Sequence, residues 1–225
     1  HHPSELGAYY VECPGTGPWS RRFVAMAGTG VDVVIALLAA LVWRYLQRPL
    51  PKLVAWIVFT VKGMVAGGYW MFSGVSNLGD WGPAAGGGIG PLPWPWLWRV
   101  LMFAVGLCVY ILVVKRAIRM MFAMLGGGEQ ARRTQRQIAM TIYLLGGISA
   151  VLVSLFNPLG IVITLMSAVA SSFGGTAGLF NVAYSRPCEL SPRDFVIGRH
   201  YVIVVAGVLV TLAFAAVLGP TIYLH

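Results

Sequence analysis

A chain of 225 residues that is 58% hydrophobic and 10% charged is not a soluble globular domain, where charged residues make up about a quarter of the total. Its formal net charge of +9 does not point to nucleic acid. The Lys and Arg gather in segments between long apolar runs, the pattern of a membrane protein. Three cysteines, Cys13, Cys108 and Cys188, show neither a CxxC pair nor metal-ligand spacing. Cys108 falls inside an apolar run and reads as a small packing residue.

The sequence starts at His1 with no charged leader or cleavage pattern behind it, which fits a start inside a longer precursor or a tag remnant in His1-His2. Residues 1–22 read as a loop punctuated by Pro and Gly, with Tyr9, Tyr10 and Trp19 suited to a membrane–water interface. A first membrane span is expected over about 23–43 and a second over about 53–75, joined by a short basic turn. Residues 76–96 contain no Lys or Arg, and their glycines and closely spaced prolines exclude a helix. Trp94, Trp96 and Trp98 then lead as an aromatic girdle into a third span over about 97–118.

A basic loop is expected from Lys115 to Arg136, with Gly126-Gly127-Gly128 inside it. The fourth span is placed at about 138–155 and meets the fifth, about 161–180, through the turn Asn157-Pro158-Leu159-Gly160. The fifth is rich in small residues, among them Gly174, Gly175 and Gly178, which let membrane helices approach closely. Gly63 and Gly67 form a similar small-xxx-small face on the second span. A polar connection over 181–199 precedes a sixth span at about 200–218. The fold expected is therefore all-α: one polytopic transmembrane domain of six helices.

Segments 44–52, 115–136 and 181–199 together hold twelve of the sixteen Lys and Arg. That bias places these segments in the cytoplasm, and both termini and the 76–96 loop on the opposite side.

Two charges fall inside spans. Asp32 lies roughly 16 Å and Lys62 roughly 14 Å from the cytoplasmic ends of adjacent antiparallel helices, at 1.5 Å per residue. Each costs about 2.5–3.5 kcal/mol at mid-membrane on insertion scales. A buried Asp32–Lys62 ion pair that sets helix register is the simplest solution; a proton relay or a substrate contact are the alternatives. Asp80 follows the end of the second span in Asn77-Leu78-Gly79-Asp80-Trp81. It reads either as a solvated cap or as a functional carboxylate. No HExxH or GxSxG occurs, and the only histidines are His1, His2, His200 and His225.

The stretches Ala27-Gly28-Thr29-Gly30-Val31-Asp32 and Ser73-Gly74-Val75-Ser76-Asn77-Leu78-Gly79-Asp80-Trp81 resemble the site-2-protease-type zinc metallopeptidases. In that family an HExxH helix supplies two zinc ligands, a following helix opens with an Ala-Gly-Pro-x-x-Asn pattern, and a third helix ends in an Asp-Gly motif holding the third ligand. Thr29 stands here for the Pro, Asp32 for the Asn, and Gly79-Asp80-Trp81 for the Asp-Gly motif. The resemblance covers roughly residues 20–83 and makes residues 1–83 a metallopeptidase-like half, with four further spans in 84–225. It implies that Asp80 is a zinc ligand; the HExxH helix either precedes His1 or has been lost, and only in the first case is the chain an intramembrane zinc peptidase acting on a membrane protein substrate. Two other readings stand beside it. One is a non-catalytic accessory or scaffold subunit, with membrane lipids and other membrane subunits as partners. The other is a transporter, since mid-membrane charges also mark ion paths.

Overall fold

The computed structural model of the chain describes residues 18–77, 79–84, 87–154, 169–186, 191, 195 and 201–218. Among them the secondary structure is helical. In chain order it runs α1 (Pro18–Tyr45), α2 (Pro49–Ser76), α3 (Pro95–Leu125) and α4 (Glu129–Ser154). A π-helical stretch (Ala170–Gly174), α5 (Gly178–Tyr184) and α6 (Tyr201–Leu218) follow.

Among the described residues three helices are long and apolar enough to cross a membrane: Arg22–Tyr45 within α1, and the whole of α2 and α3. Prolines open two of them, Pro49 in α2 and Pro95 in α3, where the missing N–H removes a donor that would have no partner inside the helix. The fourth expected span, about 138–155, falls within the longer α4, whose first turns are the charged sequence Glu-Gln-Ala-Arg-Arg. The fifth, about 161–180, lies partly outside the described residues, and the 157–160 turn lies wholly outside them. Its described end is not one regular helix: a π-helical stretch gives way to a turn at 175–177 before α5 begins.

The basic segment 115–136, expected as a loop, is mostly helix. α3 continues to Leu125 because its last turns keep an apolar face, with Met120, Met121 and Met124 buried. The reversal into α4 is compressed into three glycines, of which Gly126 (φ 71°) and Gly128 (φ 102°) adopt the left-handed backbone that side chains resist.

The core is the seam between α2 and α3. Trp56, fully buried on α2, donates its indole N–H to the Ala117 carbonyl of α3 at 2.9 Å. Further along, the backbones nearly touch. A side chain at Gly106 would come within 2.7 Å of the Gly67 carbonyl oxygen and the Met71 nitrogen, and one at Gly74 within 2.7 Å of the Arg99 carbonyl. α1 packs on the other side of α2, and its Trp43 indole reaches the Met124 sulfur of α3 at 3.4 Å. The π-helical stretch lies against α2, where Gly68 approaches Gly175, and Gly178 at the start of α5 sits under Val114, Met64 and Tyr110. Gly174, by contrast, is exposed with open space around it.

Gly106→Ala forces α2 and α3 apart against backbone atoms, and a stability loss of about 1–3 kcal/mol is expected. Gly146→Ala, where nothing lies within 4 Å, is expected to be neutral or slightly stabilising. Thermal unfolding of the two variants in the same detergent reads the difference; equal midpoints would show that the glycine seam does not hold the helices together.

Candidate functional site at the α1–α2 ends

α2 stops at Asn77 for local reasons. Asn77 takes the left-handed conformation (φ 60°, ψ 24°) and its N–H bonds the Ser73 carbonyl, a helix C-terminus that Asn tolerates better than most residues. The carbonyls of the last turn would lack partners, and Arg99 from the first turns of α3 supplies them. Its Nε donates to the Gly74 oxygen at 3.0 Å and its Nη2 to the Val75 oxygen at 2.6 Å.

The chain then folds back over the helix ends. Gly79 (φ 80°) accepts hydrogen bonds from the N–H groups of Gly82 and Gly88, both at 3.1 Å, and Leu92 N–H bonds the Pro83 oxygen at 3.0 Å. Any side chain at Gly79 would meet the Tyr69 hydroxyl at 2.7 Å, so only glycine allows this approach.

That approach positions Asp80. The Tyr69 hydroxyl donates to Asp80 Oδ2 at 3.2 Å and accepts from the Asp80 N–H at 3.2 Å. Tyr69 thus holds both the backbone and the carboxylate of the residue eleven positions ahead. Trp81 next door donates its indole N–H to the Thr29 hydroxyl of α1 at 3.1 Å and meets Trp70 edge-to-face, ring centroids 5.6 Å apart. Ser73 Oγ and the Asn77 side-chain oxygen are buried without a hydrogen-bonding partner among the described residues.

Deeper in the same helix pair, Lys62 Nζ lies 2.7 Å from Asp32 Oδ1. The side chains are 43% and 22% exposed respectively. The pair therefore sits on the flank of the α1–α2 contact rather than fully buried within it. Close pairing in a low dielectric offsets part of the cost of holding each charge away from water.

Asp32 and Lys62 form one site, and Asp80 belongs to a second, built from Thr29, Tyr69 and Trp81. Thr29 and Trp81 lie within the stretches that carry the resemblance, so those two stretches meet in space. Tyr69 and Arg99 carried no signal in the sequence: one is an aromatic in a span and the other a lone cation near a girdle. Among the described residues no three His, Cys, Asp or Glu come together. Asp80 is thus a single carboxylate among hydroxyls and indoles there, and these residues do not by themselves compose a zinc centre.

A double-mutant cycle on Asp32→Asn and Lys62→Met is expected to show coupling of about 1–3 kcal/mol, each single change leaving an uncompensated charge; additive losses would mean the two charges do not support each other. Tyr69→Phe is expected to loosen the loop and raise its cleavage rate in limited proteolysis; an unchanged rate would show that the hydroxyl is not what holds it. No protein-family model, curated protein or solved structure matches this chain, so its function rests on this geometry.

Proposed function

We propose that the chain is a helical membrane protein on a site-2-protease-like core, with Asp80 presented as a carboxylate donor at the rim between its first two spans. One observation carries the reading. The loop bearing Asp80 is bonded onto α1 through Trp81 and Thr29 at 3.1 Å, which joins the two stretches that resemble that family.

Two more donors are needed for peptidase chemistry, and in the family they are imidazoles. All four histidines of the chain lie outside the described residues. Zinc in such a setting supplies a Lewis acid and a water acidic enough to attack at neutral pH. The chain's own part is to orient the carboxylate. Tyr69 fixes it from one side, as the outer hydrogen bonds of metal ligands do, and glycines bring the loop backbone close enough for that bond.

A second reading is favoured by where the charges already go. Asp32 is engaged by Lys62 and Asp80 by Tyr69, which is what a non-catalytic subunit needs to hold its own helices while it docks in a larger membrane assembly.

Metal analysis of purified protein separates the two. With an HExxH helix supplying the other two ligands, zinc near one per chain is expected, lost in Asp80→Asn and reduced about tenfold or more in affinity in Tyr69→Phe. Equal zinc in the parent and in Asp80→Asn removes Asp80 from any metal site. A folded, metal-free protein that co-purifies with other membrane subunits establishes the accessory role.

A further inference from the structure

On the flank of the α1–α2 pair runs an open apolar groove of about 600 Å³ that the site above does not use. Ile35, Leu38, Val42 and Leu46 form one wall, and Leu50 and Val58 belong to the other. From Ile35 to Leu46 the groove runs about 16 Å at 1.5 Å per residue. That is close to half of a hydrocarbon core of about 30 Å, the depth of a single leaflet. One end stops about a turn short of Asp32 and Lys62. The other opens at the turn between the helices, residues 44–52, which holds Arg44, Arg48 and Lys52 and no acidic residue.

We propose that this groove holds an acyl chain of an anionic phospholipid, whose phosphate is met by Arg44 and Arg48. Lys52 is already engaged, its Nζ 4.6 Å above the Trp43 ring. Arg44 and Arg48 are exposed, and among the described residues neither is paired with an acid. Basic groups in the turn that joins the two walls of an apolar groove match a negatively charged headgroup joined to a hydrocarbon tail. A partner helix fits less well. Membrane helices pack through small residues, whereas the groove walls are mainly branched aliphatic side chains, and the glycine face of α2 is already occupied by α3.

The test is native mass spectrometry of the full chain released from nanodiscs made of equal parts phosphatidylglycerol and phosphatidylcholine. Retained phosphatidylglycerol is expected to exceed phosphatidylcholine by on the order of tenfold. In the double variant Arg44→Gln/Arg48→Gln the preference should fall toward one. Ala39→Phe, which fills the groove from its α1 wall, should reduce both lipids, and Leu46→Trp fills it independently if Ala39→Phe does not fold. Equal retention of the two lipids by the parent overturns the proposal. So does unchanged lipid retention in the groove-filling variants, or a dimer that those variants dissolve, which would give the groove to a second copy of the chain.

Discussion

The rest of the structure depends on the contact between the α2 and α3 backbones at Gly67, Gly74 and Gly106. Between helices in lipid there is little hydrophobic force to gain, so association relies on close van der Waals packing. A carbonyl that would stand 2.7 Å from any added side chain shows how near these backbones come. That proximity is what allows Arg99 to reach the last carbonyls of α2. It also brings the Trp56 indole to the Ala117 carbonyl. Both hydrogen bonds satisfy groups that hydrocarbon could not. Were α3 displaced by a methyl group, the C-terminus of α2 would lose its cap, and the loop carrying Asp80 would lose its platform.

α1 is held differently. Most of its surface is exposed, and its tie to α2 at depth is the Asp32–Lys62 pair rather than a glycine seam. An ion pair on the flank of a helix contact is a directional constraint: sliding α1 by one residue moves Asp32 by 1.5 Å and turns it by about 100°. The Trp81–Thr29 bond, three residues before Asp32 along α1, adds a second point of registration. Two polar contacts less than one turn apart on α1 fix the height and the rotation of the helix at that level, which apolar contacts alone would leave free to shift.

Much of this was legible in the sequence. Of the six spans expected from apolar run lengths, three coincide with helices that are long and apolar enough to cross a membrane among the described residues. The ends of α2 and the start of α3 fall at Pro49, Asn77 and Pro95. Opposite charges at equal depth on adjacent antiparallel helices identified a pair that the fold brings to 2.7 Å. What escaped was of two kinds. The 115–136 segment looked like a loop because charge and glycine mask an amphipathic helix, when the deciding feature is the methionine face that α3 keeps buried past the apolar run. The clamp around Asp80 escaped because tyrosine in a span has no pattern that marks its hydroxyl as structural. The bond exists only because Gly79 brings the chain back over the helix, and a turn of that kind is set by tertiary contacts. Gln135 is a similar case: it sits in a basic run, yet it is buried and its amide donates to the Val182 and Ser185 carbonyls near the end of α5.

A carboxylate at a membrane rim is ordinarily mobile, because loops there are short of both packing and hydrogen bonds. This one is confined by backbone. The segment 79–92 bonds to itself through Gly79, Pro83, Ala84 and Gly87 carbonyls, and its glycines let strands of chain pass close to one another and to Ala25 of α1. Backbone hydrogen bonds hold the loop, and its side chains tie it to α1 and α2 through Trp81 and Asp80. Tyr69 restricts the carboxylate at one oxygen while bonding the N–H of the same residue, so one hydroxyl contributes to both its orientation and its position. A structural clamp alone would be met by the backbone bond. The added bond to the carboxylate oxygen also sets where that charge stands.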